Sequence, residues 1–309
     1  MIKQTIIALF LLLPGICLGA VIFQDNFDSQ SAAWNLGQGA LPTPAGQSGT
    51  WGYLASNRKT CTQLGCGNCN TLPADADDNI LYMDDNGGMN GTQALRWVMK
   101  NGCSINDYPA SLDWRIPVSA YKEIYFGFHL KMDPEWKTTG PQQCKFPLWI
   151  ALGDSALEGK IWVVNRDMTM PPSSNIELFH ITATPNFGWF KSGITVAEYG
   201  DGQWHWLEFR IKLNSTSGGT DGLMTAWIDG VQQGTRTNLT FWPSTGSQSD
   251  WIYAIRFMIG NCSSGVNAWA NPNWAGFRVD NFKGGTSYIG PPESSGGIPI
   301  PQNLRFSFE

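Results

Sequence analysis

From Leu207 to Leu213 the apolar residues Leu207, Phe209, Ile211 and Leu213 alternate with Glu208, Arg210 and Lys212, the period of two expected of a strand with one buried face. A turn-rich run follows from Asn214 to Gly222. Leu223 to Ile228 is then extended, and Asp229-Gly230, a dipeptide that accepts positive φ, sends the chain back at Val231. This pattern predicts three consecutive antiparallel strands. Further strands are predicted at Val21 to Asp28, Ile80 to Met83, Gln93 to Lys100, Ser111 to Arg115, Lys122 to Met132, Lys145 to Leu152, Ile161 to Asn165, Asn175 to Thr182, Trp251 to Ile259 and Gly276 to Phe282. No segment sustains a helical period, so the expected fold class is all-β, a sandwich of antiparallel sheets.

The same alternation sorts residues by face. Ile124, Phe126, Phe128 and Leu130 turn inward and leave Tyr125, His129 and Lys131 outward; Phe146, Leu148, Ile150 and Leu152 leave Lys145 and Trp149; Leu95, Trp97 and Met99 leave Arg96. In Asn175 to Thr182, Ile176, Leu178 and His180 oppose Glu177, Phe179 and Ile181, so both faces carry bulky groups, as under a substrate cleft. Trp162 and Arg166 lie nearby in sequence, and Tyr199 ends the next candidate strand. If these strands share a sheet, Arg96, Tyr125, His129, Lys145, Trp149, Arg166, His180 and Tyr199 line one concave surface. His205 shares a face with Leu207 and Phe209 and reads as structural.

Composition fits short strands and tight turns: the 309 residues include 15 Trp, 35 Gly and 18 Pro, with 15% charged side chains. A sandwich of this length is commonly one domain. Residues 1–20, with Lys3, an apolar core and small residues before Val21, read as a secretory signal peptide; the bulky Ile16 before Cys17 argues against a lipoprotein cysteine. The domain is expected over residues 21–290, and the Pro/Gly/Ser-rich run 291–309 reads as a tail or linker. The expected location is secreted, periplasmic or cell-surface. Signal removal leaves Cys61, Cys66, Cys69, Cys103, Cys144 and Cys262, an even set that favours disulfides in an exported chain; the rival is zinc, because Cys61, Cys66 and Cys69 have ligand-like spacing. Loss of Lys3 takes the formal charge from −5 to −6, which argues against nucleic acid or an anionic membrane as partner.

Asp25-Asn-Phe27 near the start is echoed by Asp280-Asn-Phe282 near the end, suggesting that the first and last strands pair. Asp25 and Asp280 are then candidates to share a structural calcium, against the plainer reading of solvated strand ends. No other cofactor is required. Residues 37–79, with three cysteines and no apolar period, read as a long excursion stapled by disulfides, and the acids Asp75, Asp77, Asp78, Asp84 and Asp85 lack the spacing of an EF-hand and read as a solvated acidic loop.

Asp25-Asn-Phe27, Tyr125 to Pro134, Lys145-Phe-Pro-Leu148, the Gly202-Gln-Trp-His-Trp to Trp227-Ile-Asp-Gly230 meander and Val279-Asp-Asn-Phe282 with Ser287-Tyr-Ile-Gly-Pro291 together resemble the concanavalin A-like lectin/glucanase superfamily. Within it, the chain is most similar to polysaccharide-lyase-like jelly rolls related to alginate and glucuronan lyases. The resemblance implies a jelly-roll sandwich of two antiparallel sheets and a polysaccharide partner. It also implies β-elimination on a uronic-acid polymer, in which a cationic or amide group neutralises the carboxylate, a base takes the C5 proton and an acid protonates the leaving oxygen. Carried over to this chain, Lys145 and Arg96 would neutralise charge, His180 would be the base and Tyr199 the acid, with Trp149, Trp162, Arg166, His129 and Tyr125 binding substrate. A noncatalytic carbohydrate-binding or adhesion protein is the main alternative, with Trp149, Trp162, Trp189 and Trp242 stacking on sugars. A glycoside hydrolase ranks lower, because Asn175 to His180 holds a single carboxylate where that chemistry needs a pair.

Overall fold

The structure is a computed structural model that describes residues 21–28, 47, 50–52, 60–63, 65–66, 68–72, 80–100, 103, 110–116, 121–136, 147–152, 161–165, 175–180, 188–216, 218–241, 252–259 and 273–292. The expected signal peptide, most of the tail, Lys145, Arg166, Trp242, Cys144, Cys262, Asp75, Asp77 and Asp78 lie outside the described residues. The strands in chain order are β1 (Val21–Asp25), β2 (Thr50–Gly52), β3 (Leu81–Asp84), β4 (Ala94–Met99), β5 (Ala110–Arg115), β6 (Glu123–Met132), β7 (Pro147–Leu152), β8 (Ile161–Asn165), β9 (Asn175–His180), β10 (Gly188–Thr195), β11 (His205–Lys212), β12 (Gly222–Ile228), β13 (Val231–Leu239), β14 (Ile252–Ile259) and β15 (Ala275–Gly285), with one short helix, α1 (Val196–Tyr199), between β10 and β11.

They form two antiparallel sheets. Sheet A has eight strands in the order β13-β12-β11-β6-β15-β4-β3, with β1 also paired to β15; sheet B has seven, in the order β10-β9-β8-β7-β14-β5-β2. The central meander is as the alternation predicts: β11 pairs β12, β12 pairs β13, and the hairpin turn takes φ of 50° at Asp229 and 81° at Gly230. The Asp-Asn-Phe echo also corresponds to pairing of the first and last strands, with Asp25 opposite Phe282. A bulge at Asn281, where φ is 50°, shifts the register between β15 and β6.

Inward residues of both sheets meet in one core. Leu95, Trp97, Phe126, Phe128, Leu207, Phe209, Ile211, Phe277 and Val279 come from sheet A, and Trp51, Leu112, Trp114, Ile176 and Ile255 from sheet B. At its centre Phe23 packs against Trp51, Trp114 and Phe282 with ring centroids 5.0–5.9 Å apart. Gly284 makes room for this cluster, since a Cβ there would stand 2.1 Å from the Trp114 ring.

The cysteine-bearing excursion is tied down rather than metal-bound. Cys61 pairs with Cys69 and Cys66 with Cys103, which favours the disulfide reading of these cysteines over zinc. The Lys100 ammonium, at the end of β4, donates to Asn68 O (2.6 Å) and Thr71 Oγ1 (3.2 Å) and lies over the Trp274 ring. Cys66–Cys103 therefore closes a loop already anchored at its base. We expect the Cys66→Ala/Cys103→Ala double variant to lose about 2–4 kcal/mol of stability in chemical denaturation; an unchanged midpoint would contradict this.

Candidate functional site

Residues directly opposite each other on antiparallel strands share a face of the sheet, so the register of sheet B defines its two surfaces. One cross-strand row runs Trp51, Trp114, Ile255, Ile150, Ile161, His180, Gly188. Trp51, Trp114 and Ile255 are buried in the core, so this row is the core-side row. The next row runs Gly52, Asp113, Arg256, Trp149, Trp162, Phe179, Trp189. It belongs to the outward face, as does the row Pro147, Val164, Glu177, Lys191, whose last member is exposed while Ser192 and Ile194 beside it are buried.

Four successive strands thus place aromatic residues side by side: Trp149 on β7, Trp162 on β8, Phe179 on β9 and Trp189 on β10. With neighbouring strands about 4.8 Å apart, the row from Trp149 to Trp189 covers roughly 14 Å. Arg256 and Asp113 continue it on the other side, and Glu177 sits opposite Lys191 one row away.

The structure divides the residues expected on one surface. Trp149 and Trp162 are adjacent in register on sheet B. Arg96 on β4 and Tyr125 and His129 on β6 belong to sheet A, which corrects the expectation of a single concave sheet: alternation fixes which residues share a strand's face and leaves open which sheet the strand joins. His180 falls in the core-side row with Ile150 and Ile161, off the face that carries Trp149. Tyr199 is not at a strand end either. Thr195 and Glu198 form a capping box that starts α1, and Tyr199 closes that turn fully buried in the core, a placement that removes it from contact with a polymer.

On sheet A several outward charges are paired with one another. Arg96 pairs with Asp84 (3.4 Å) and Asp133 (3.2 Å), and Arg278, opposite it in register, pairs with the same two carboxylates at 2.7 Å each. Arg96 is therefore committed within a partly buried four-membered network, and Asp84 is part of it rather than of a solvated loop. Tyr125 lies under the Arg210 guanidinium, 5.4 Å from its ring centroid, and Arg210 is bonded to Glu123. His205 bridges Asp229 (2.8 Å) and Asp201 (3.0 Å); burial pulls its pKa down, but those two bonds outweigh it and leave the pKa raised.

Glu208 is fully buried on this outward side. Its carboxylate accepts from Ile289 N (2.8 Å), Gly290 N (2.9 Å) and Trp206 Nε1 (3.1 Å), and so clasps the segment after β15 across sheet A. Gly127 lets the Trp206 indole lie there, since a Cβ would come within 2.3 Å of the ring.

At the two acids considered for calcium, every oxygen faces an N–H donor. Asp25 accepts from Phe27 N and from Trp51 Nε1, each at 2.7 Å, and Asp280 from Met89 N (2.9 Å) and Asn281 N (2.6 Å). Burial raises the Asp280 pKa to about 7 despite those bonds. The described residues include no group of three or more His, Cys, Asp or Glu placed to hold a metal.

No protein-family model matches the chain, and no curated protein matches it. Among solved structures it is similar to the endo-β-1,4-glucuronan lyase of the fungus Trichoderma reesei at 16% identity, with 67% of this chain and 87% of that chain covered and a TM-score of 0.45. The alginate lyase of Aplysia kurodai is similar at 14% identity, with 67% and 87% covered and a TM-score of 0.47. An alginate lyase solved with an alginate tetrasaccharide is similar at 12% identity, with 75% and 91% covered and a TM-score of 0.49. These likenesses assign no activity.

His129 gives a pH test of the sheet A arrangement. It is buried against Trp206, and burial lowers its pKa from 6.5 to about 4. The unfolded chain therefore binds this proton more readily between those values, and the stability present above pH 6.5 is lost as pH falls toward 4. In urea titrations His129→Gln should lose stability less steeply than the parent over that window. Equal slopes would contradict the assignment.

Proposed function

We propose that the protein engages a uronic-acid polysaccharide across the outward face of sheet B and cleaves it as a lyase. The observation that carries this reading is the aromatic row Trp149, Trp162, Phe179 and Trp189, continued in register by Arg256. One aromatic position per strand suits a polymer crossing the strands, with a sugar ring over each. The resemblance of the sequence to lyase-like jelly rolls supplies the chemistry: the C5 proton passes to a base, the C4–O bond breaks, the leaving oxygen takes a proton and a C4–C5 double bond remains. Arg256, opposite Trp149 in register, and Lys145, two residues before β7, take the role of holding the substrate carboxylate as charge develops in this reading.

A second reading, sugar binding without cleavage, is favoured by the core-side position of His180 and the burial of Tyr199, which take the expected base and acid away from the row. The two readings separate by experiment. Alginate or glucuronan incubated with the protein should gain ultraviolet absorbance from the new double bond, and Lys145→Ala should lower that rate at least about 100-fold while leaving binding measurable. Binding to the same polymers with no absorbance change would favour the lectin-like reading.

Trp149→Ala and Trp162→Ala should each weaken polymer affinity about tenfold, on the order of 1–2 kcal/mol. Tyr125→Phe on the opposite sheet should leave affinity unchanged. Loss on Tyr125→Phe with none on the tryptophan variants would place binding on sheet A instead.

A further inference from the structure

We propose that Asn90 and Asn238 are N-glycosylation sites, and that Asn214, which carries the same tripeptide, is excluded by the fold. Asn-x-Ser/Thr, the acceptor pattern of exported chains, occurs at Asn90-Gly-Thr92, Asn214-Ser-Thr216, Asn238-Leu-Thr240 and Asn261-Cys-Ser263. The last lies outside the described residues.

In the transfer, the asparagine amide nitrogen forms a bond to C1 of the first sugar of a lipid-linked oligosaccharyl pyrophosphate. The bond from C1 to the pyrophosphate oxygen breaks, the pyrophosphate-bearing lipid departs and the amide gives up one proton. No oxidant or reductant is involved. Because the acceptor is the newly translocated chain, each tripeptide is initially accessible, and the native structure decides which side chain can keep a glycan and still fold.

The structure separates the three. Asn214 has no exposed surface; its Oδ1 accepts from Phe241 N (2.8 Å) and its Nδ2 donates to Thr216 O (2.6 Å). A glycan on Nδ2 would crowd the contact of that nitrogen with Thr216 O and would have no exposed surface through which to leave. Asn90 is exposed in the turn joining β3 to β4, with φ of 59°, and a Cβ on the adjoining Gly91 would meet nothing within 4 Å. Asn238 is exposed with φ of 60°. It lies where the β12–β13 register jumps from Met224 opposite Arg236 to Gly222 opposite Leu239, which sets Thr237 and Asn238 against Leu223 alone, the count of a bulge.

Positive φ explains an asparagine at each place but does not ask for threonine two residues later. The positions are also telling. β13 and β3 stand at the two ends of the sheet A order, so one glycan sits on an edge strand and the other on the turn leaving the opposite edge strand. A bulky polar group on the bulged end of β13 hinders another chain from adding as a strand there. Neither site is on the outward face of sheet B.

The test is to secrete the full chain from yeast, release N-glycans with peptide N-glycosidase in ¹⁸O-water and map the labelled aspartates by mass spectrometry. Label at both 90 and 238 and none at 214 is expected, and Asn90→Gln and Asn238→Gln should each remove one glycan's mass from the secreted protein. Unlabelled 90 or 238 in the secreted protein overturns the assignment of that site, and label at 214 overturns the argument from burial. Because the map is read on the unaltered chain, it does not depend on any variant folding.

Discussion

The two sheets are held face to face by a knot of aromatic rings contributed by four strands. Phe23 of β1 and Phe282 of β15 come from sheet A, and Trp51 of β2 and Trp114 of β5 from sheet B. Aromatic side chains bury large areas and gain further from edge and offset contacts, so this contact both closes the domain from first strand to last and joins its layers. It also fixes polar chemistry around it: the Trp51 indole reaches Asp25 at 2.7 Å, giving a buried carboxylate a partner it needs. With the inward faces packed together, each sheet turns its other face outward.

Those faces differ in kind. Much of the one on sheet A is spent on internal bonds: two arginines shared between two carboxylates, and a fully buried glutamate clasping the strand's exit segment. Breaking one member of such a network leaves an unpaired charge in a poorly solvated place, so these residues are tied to the fold before any ligand arrives. Sheet B instead gathers aromatic residues into a row, with Arg256 and Asp113 at one end and the Glu177–Lys191 register pair beside it. The net negative charge of the chain does not preclude an acidic polymer there, because local cations govern the field at short range.

Much of this was legible in the sequence. Period-two runs such as Leu207 to Leu213 and Ile124 to Leu130 identified strands and their buried sides, and Asp229-Gly230 marked its hairpin. The paired Asp-Asn-Phe motifs marked the closure of the first strand on the last. What alternation cannot convey is which strands lie side by side. Arg96, Tyr125 and His129 turn outward as alternation predicts yet belong to the other layer, and the row formed by Trp149, Trp162, Phe179 and Trp189 exists only through long-range register. His180 shows a narrower limit: apolar residues on both faces of β9 left its side undecided until Ile161 and Ile150 lined up with it. The turn that holds Tyr199 is not legible in the sequence, because four capped residues are too few to show a period.

Oxidative footprinting with and without a uronate oligosaccharide tests most directly whether sugar is held on sheet B. The account predicts slower labelling of Trp149, Trp162 and Trp189 in the presence of the oligosaccharide, with no change at Tyr125 or at Trp227 and Tyr288, which pack beside it on the outward side of sheet A. Protection confined to that opposite side would contradict it.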